Sequence, residues 1–454
     1  MTRREEGAGA RPSPGGSADG GASEVGRTVE TGGAASGRRV AFAGSLTHPT
    51  AVAVALAVAH AANDAYAAFL HPLLPRVMEK LGLSIALAAT LAMTLSLAAS
   101  VAQPLLGYWA DRYGRRPLVA AGPLLTGVFL SLIGVAPSFA VLLLVLALGG
   151  LGSAAFHPPG ASLAARVAEG GGSGVRLSWF SFGGALGYAA GPLIAVGLVA
   201  WLGLGGLTWA MIPAVALAGA LWWLLPAEGA AGGEAVDPPP GPRRILALLR
   251  GPLGAVFGIS ALGAFVQRVF LTMEPIIVDA AGGTEAVGAL ALSVYLGGQA
   301  FGSLTGGYLA DRVDRRWLLA VLATAAVPAH LLALGLSPGG AAALAAAAAS
   351  GFLNMAMLPA VVVIAQEIVP AGAAVGSGIA MGLAWAAGSI GVLATGALGD
   401  LVGARAAALA SVPLLLIGSL LALHPALREH GRAPEPVGRV GNGASGSAGF
   451  GPDR

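Results

Sequence analysis

Cysteine is absent from the 454 residues, and Lys80 is the single lysine among 25 basic residues. The first absence excludes disulfides, thiolate metal sites and a cysteine nucleophile. The second bears on nucleotide use. No Gly-x-x-x-x-Gly-Lys-Ser/Thr loop is present, so the chain is not expected to hydrolyse ATP directly.

Charge is scarce too. Asp, Glu, Lys and Arg make up 10% of the residues against 56% hydrophobic, whereas a soluble protein is about 25% charged. A water-facing surface cannot be built from this composition, which points to a polytopic membrane protein and away from soluble enzymes. A net charge of +3 is no electrostatic footprint for nucleic acid, and no nucleic-acid partner is expected. Glycine, by contrast, is plentiful at 71 residues with no third-residue period, which excludes collagen. Much of it lies inside apolar runs, where small residues let membrane helices approach closely.

Residues 1–46 carry Gly, Ala, Ser and Arg without an apolar period and read as a disordered cytoplasmic tail. Arg38-Arg39 followed by Ala59-His60-Ala61 has the outline of a twin-arginine signal. The apolar run continues to Pro75, however, beyond a signal's core of about 7 to 15 residues.

Twelve apolar runs then recur, at 50–76, 84–109, 117–136, 138–165, 177–200, 204–225, 252–278, 286–310, 317–336, 340–366, 374–399 and 404–425. Each approaches or exceeds the ~20 residues that cross a bilayer core. The sequence thus predicts an all-α integral membrane protein of two six-helix bundles, 47–226 and 251–426. A polar cytoplasmic linker, 227–250, joins them, and a second disordered cytoplasmic tail covers 427–454.

The halves repeat at a shift of 200 residues. Gly107-Tyr-Trp-Ala-Asp111-Arg112-Tyr-Gly-Arg115-Arg116 lies on Gly307-Tyr-Leu-Ala-Asp311-Arg312-Val-Asp-Arg315-Arg316 with seven identities in ten. Pro75 falls on Pro275, Pro159 on Pro359 and Gly203 on Gly403. A weaker third copy, Gly396-Ala-Leu-Gly399-Asp400, follows span 11, and its partner position in the first half, Ala200, lacks the acid. Basic residues divide unevenly between alternate loops, 21 on the side of both termini against Arg76, Lys80 and Arg405 on the other. Retention of Arg and Lys in the cytoplasm places both termini there.

The repeated loop resembles the signature of the major facilitator superfamily, and the twelve spans and duplication agree with it. Further stretches resemble the fosmidomycin-resistance type of drug exporter. They are His60-Ala-Ala-Asn63-Asp64, Gln103-Pro104, Phe156-His157-Pro158 with Gly160-Ala161, Ala365-Gln366-Glu367 and Gly376-Ser377-Gly378. Pro159 departs from the glutamate that many relatives carry after His-Pro. The resemblance implies the major facilitator fold and efflux of phosphonate antibiotics or other amphipathic toxicants, giving antibiotic resistance. It also implies a conformational lock in Gly107, Asp111, Arg112, Arg115, Arg116, Gly307, Asp311, Arg312, Arg315 and Arg316.

Several polar residues stand where apolar ones are expected. On a continuous helix at 100° per residue, His60, Asn63, Asp64 and His71 share an arc of about 100°. A carboxylate near mid-span costs about 2.5 to 3.5 kcal/mol or more and should face the bundle interior. Asp64 with His60 is therefore the expected proton-coupling group; the competing reading is a structural hydrogen-bonding cluster. A metal would find His60 and Asp64 at i and i+4 but no assignable third ligand, and no metal is expected. Asn63, His71, Gln103, His157, Gln267, Arg268 and Glu274 are the expected substrate contacts, Arg268 suiting an anionic group. Arg268 can instead pair with Glu274, and His157 can gate, bind or cap a proline kink. His330 reads as packing.

The expected function is secondary transport at the cell membrane, exporting a small molecule from the cytoplasm by proton antiport. Its partners are the substrate, protons and the lipid bilayer; no cofactor or catalytic residue is expected. Two other classes remain open on sequence alone. One is an intramembrane enzyme using His60, Asp64 and His157, and the other is a non-transporting sensor on a transporter fold.

Overall fold

The computed structural model describes residues 49–168, 173–225, 241–369 and 373–430. The tail 1–46, most of the linker and residues 431–454 of the C-terminal tail lie outside the described residues. Among those described, twelve helices are long and apolar enough to cross a membrane. They are span 1 (Thr50–Leu81), span 2 (Ile85–Tyr113), span 3 (Arg116–Val135), span 4 (Phe139–Arg166), span 5 (Ser178–Leu202) and span 6 (Leu204–Leu224). The second half supplies span 7 (Pro252–Ala280), span 8 (Glu285–Ala310), span 9 (Arg315–Gly335), span 10 (Ala341–Ile368), span 11 (Val375–Val402) and span 12 (Ala404–Ala422). The last part of the expected linker is itself helical, Pro242–Leu249.

Local chemistry sets the ends of these helices. Ser84 caps span 2 by accepting from Leu87 N at 3.3 Å. Asp314 caps span 9 through Arg316 N at 2.9 Å and Trp317 N at 3.2 Å, each satisfying a backbone donor left over at a helix start. The turn glycines repeat with the sequence. Gly82 and Gly282 have φ of 63° and 76°, and Gly203 and Gly403 have 73° and 85°, a left-handed region open mainly to glycine.

Glycine stripes bring helices into backbone contact. A Cβ on Gly183, Gly187 or Gly191 of span 5 would stand 2.3, 1.9 or 2.5 Å from the carbonyl oxygens of Ala57, Ala61 and Ala65 in span 1. Gly298, Gly302 and Gly306 of span 8 meet the Ala348, Phe352 and Ala356 carbonyls of span 10 at 2.2, 2.1 and 2.1 Å in the same sense. With no hydrophobic drive between helices in lipid, such close packing is what holds them.

Span 1 departs from the sequence expectation. Its α-helix ends at Ala67, a 3-10 turn occupies His71–Leu73, and helix resumes over Leu74–Leu81. Pro72 and Pro75 cannot donate to the ladder. The stripe therefore covers His60, Asn63 and Asp64 but does not extend in helical register to His71.

Candidate functional site

Span 1 carries Asp64 one helical turn after His60, and the two meet, His60 Nε2 to Asp64 Oδ2, at 3.3 Å. Span 4 brings His157 to the other oxygen, Nε2 to Oδ1, at 3.2 Å. The three side chains are 12, 18 and 31% exposed in the order His60, Asp64, His157. Asn63 is fully buried and donates to Asp64 Oδ1 at 3.0 Å and to Ser153 Oγ at 3.3 Å.

The far side of each ring is tied to backbone. His60 Nδ1 lies 2.9 Å from the Phe180 carbonyl of span 5, and His157 Nδ1 lies 2.8 Å from the Ser153 carbonyl. Phe180 stacks at a tilt on His60, centroids 4.2 Å apart, and Phe156 approaches it at 5.6 Å. Gly184 leaves the room: a Cβ there would stand 2.5 Å from the His60 ring.

These contacts constrain where hydrogens sit on the two rings. A carbonyl only accepts, so each Nδ1 bears a hydrogen. A neutral ring would then aim an Nε2 lone pair at a carboxylate oxygen. A hydrogen on Nε2 would complete each Nε2–oxygen contact as a hydrogen bond to the carboxylate. Without a hydrogen on His157 Nε2, lone pair would face lone pair across the contact between span 4 and span 1.

The other predicted contacts are dispersed. Arg268 of span 7 donates to Tyr188 Oη of span 5 at 3.1 Å, across the two halves, rather than to Glu274. His71 is buried with Nδ1 unpartnered. Gln267 donates to Gln299 Oε1 at 3.0 Å. Gln103 donates to its own helix at Ala99 O, 2.9 Å away. Glu274 is buried with Oε2 unpartnered. His330 is fully buried, with Nδ1 2.7 Å from Ala326 O and Nε2 3.3 Å from Tyr295 Oη.

Both signature loops act as tethers. Arg115 pairs with Asp111, while its repeat Arg315 pairs with Glu367 at 2.7 Å. Arg116 donates to the Trp222 carbonyl at the end of span 6, and Arg316 to the Leu423 carbonyl past span 12 at 2.9 Å. Arg112 donates to Tyr108 Oη, Arg312 stacks over Tyr308, and a Cβ on Gly107 would stand 3.3 Å from Pro158. A Cβ on Gly307 would stand 3.9 Å from Pro359, and Asp311 is the C-cap residue of the span 8 helix.

At the opposite end the halves are joined. Arg76 pairs with Glu285 at 2.6 Å. Asp400, the acid of the third motif copy, accepts from Ile85 N at 2.7 Å and Ala86 N at 3.2 Å, capping span 2 from span 11.

Sequence reasoning missed Ser153, Phe180, Tyr188 and Gly184 as site residues. Only the fold brings them there, and none breaks an apolar pattern. It also lacked a third partner for His60 and Asp64, which His157 supplies. The ligand atoms of the three lie within 4.8 Å of one another, with direct contacts at 3.2 and 3.3 Å.

Two related halves of six membrane helices, packed around buried ionisable groups, define a polytopic membrane transporter. The family model of the Major Facilitator Superfamily matches residues 55–266 and 253–447. The chain belongs to that superfamily and is a multi-pass membrane transporter of small substrates. It is 27% identical to the fosmidomycin resistance protein of Escherichia coli (strain K12) over 359 residues, 76% of this chain and 86% of that one. It is 28% identical over 398 residues to the uncharacterized MFS-type transporter YfnC of Bacillus subtilis (strain 168), 84% of this chain and 94% of that one. Its fold is similar to that of a bacterial homologue of the human lysosomal transporter Spinster, inward-facing and occupied, with a TM-score of 0.69 at 18% identity over 85% of this chain and 99% of the other. The nucleoside transporter NupG (D323A mutant) gives a TM-score of 0.66 at 14% identity over 82% and 99%.

Proposed function

We propose that this chain exports a small molecule from the cytoplasm across the cell membrane in exchange for protons, with Asp64, His60 and His157 as the proton-carrying group. The observation behind this reading is the double contact of one carboxylate with two imidazoles whose other nitrogens are tied to backbone. Its closure depends on proton count, so gain or loss of a proton changes how spans 1 and 4 are held together. Coupling requires such a differential interaction between two states.

The likeness to the fosmidomycin resistance protein supports efflux and suggests phosphonates or other amphipathic toxicants as cargo. The loop charge bias of 21 to 3 supports cytoplasmic termini, which makes the signature loops cytoplasmic and the Arg76–Glu285 and Asp400 contacts extracellular. On this orientation the structure is closed to the outside, and the signature loops lock the opposite state. Arg268, with Tyr188 and His71, forms the cationic part of the path, and Asn63, Gln103, Gln267 and Glu274 its polar surroundings.

The direct test uses everted vesicles with an acid interior and a pH-sensitive dye. Fosmidomycin added outside is expected to dissipate the gradient in vesicles bearing the protein and not in empty ones. Fosmidomycin accumulation without proton movement would refute antiport.

A further inference from the structure

Two imidazoles converge on one carboxylate: His60 of span 1 and His157 of span 4 both turn Nε2 toward Asp64, at 3.3 and 3.2 Å. Their orientation is set from behind. His60 Nδ1 faces the Phe180 carbonyl and His157 Nδ1 the Ser153 carbonyl, so in a neutral ring the inward lone pair is the one on Nε2. Asn63 holds the carboxylate in turn, donating to Oδ1 at 3.0 Å. An imidazole whose outer N–H is tied to a carbonyl, and whose inner nitrogen is aimed at a shared point, is the arrangement that metal-ligating histidines adopt.

Distance and charge agree with it. Zinc–ligand bonds of about 2.0 to 2.2 Å in tetrahedral geometry set neighbouring ligand atoms about 3.3 Å apart, the separation at which both imidazole–carboxylate contacts stand. The three ligand atoms lie within 4.8 Å of one another. A hydrogen on each Nε2 adds two positive charges to the neutral rings, and a divalent ion in their place adds the same. Two nitrogens and a carboxylate suit zinc, nickel or cobalt, whereas magnesium and calcium take oxygen shells. The cysteine-free chain has no thiolate for softer copper(I). Phe156 and Phe180 pack on His60, while His157, 31% exposed, leaves one side open to a fourth, non-protein ligand. The second half cannot repeat the site. At a shift of 200 residues, His60, Asn63, Asp64 and His157 become Ser260, Gly263, Ala264 and Met357, and among the described residues no other three such side chains converge.

We propose that His60, Asp64 and His157 form a binding site for one divalent transition-metal ion of the zinc class, held through both Nε2 atoms and the Asp64 carboxylate. A bound ion takes the places that protons occupy in the antiport reading, so it would stop gradient-driven export. That consequence rests on the antiport reading. Binding itself is measured at equilibrium without a gradient, so it stands or falls apart from proton coupling.

The test is titration calorimetry of the purified, tag-free full chain with zinc chloride, with and without excess magnesium chloride. One zinc ion per chain is expected to bind and to resist displacement by magnesium. His60→Gln and His157→Gln should each weaken binding by about a hundredfold, the scale of one ligand's part in a four-ligand zinc site. His424→Gln, at an exposed histidine past span 12, should leave it unchanged. Cobalt(II) in place of zinc gives a readout that needs no variant. The unaltered chain should show the intense visible bands of a four-coordinate site and not the pale spectrum of a six-coordinate ion. Absence of saturable zinc binding, a six-coordinate cobalt spectrum, or undiminished zinc affinity in folded His157→Gln would overturn the proposal.

Discussion

Met357 stands in span 10 at the position that His157 holds in span 4. Ala264, which answers to Asp64, lines the same recess as Met357, whereas Asp64 and His157 are in contact at 3.2 Å. One duplicated framework thus holds an ionisable contact on one side and an uncharged, mostly apolar lining on the other. Duplication gives the halves a common backbone, and four side chains give them different chemistry.

Placement of His60 depends on Gly184. Because a Cβ would stand 2.5 Å from the His60 ring, Gly184→Ala should displace the ring from Asp64. Gradient-driven export should fall by about tenfold, the scale of one charged hydrogen bond lost, at unchanged expression. Gly197→Ala, where a Cβ meets nothing within 4 Å, should leave transport at the unaltered level in the same assay.

Adjacent glycines of span 8 provide a packing test. A Cβ on Gly298 would sit 2.2 Å from the Ala348 carbonyl oxygen, and one on Gly297 would meet nothing within 4 Å. Gly298→Ala should destabilise by about 1 to 3 kcal/mol, as overpacking does, and lower the melting temperature in detergent. Gly297→Ala should be neutral or slightly stabilising through helix propensity.

The spans were legible because lipid demands long apolar runs, and their observed ends lie within a few residues of those expected, span 1 excepted. The repeat was legible from the ten-residue motif around Asp111 and Asp311, seven of whose positions are identical. The break at Ala67–Leu73 was not recognised, although Pro72 and Pro75 marked it, because apolar composition continues through it. That break takes His71 out of register with Asp64. His157 was grouped with His60 and Asp64 only in the enzyme alternative and not as a proton-coupling partner, since 93 positions separate it from Asp64 and only the packing of span 4 on span 1 joins them. The correspondence of Met357 with His157 could be read from the numbering, yet it acquires meaning only once His157 is seen to contact Asp64.

The contacts opposite the signature loops should act as a latch. Asp400→Ala with Glu285→Gln removes the cap on Ile85 and Ala86 and the pair with Arg76. A lost cap alone is worth about 0.5 to 2 kcal/mol. Spin labels at Glu79→Cys and Ala281→Cys should report a larger fraction of long distances by double electron–electron resonance. An unchanged distribution would show that these contacts do not hold the halves closed.

Orientation can be tested in the cysteine-free background. Gly241 is exposed, with room for a side chain, and Ala281 is exposed at the other end. A membrane-impermeant maleimide should label Ala281→Cys in intact cells and Gly241→Cys only after permeabilisation. The reverse pattern would invert the proposed topology.

The central claim is that proton coupling runs through Asp64, and Asp64→Asn in everted vesicles tests it most directly. With an acid interior and labelled fosmidomycin outside, the variant should show no gradient-driven accumulation. Preloaded vesicles should still exchange labelled for unlabelled compound, because the path and the halves' motion remain. Gradient-driven accumulation by Asp64→Asn at the level of the unaltered protein, at equal expression, would contradict the account.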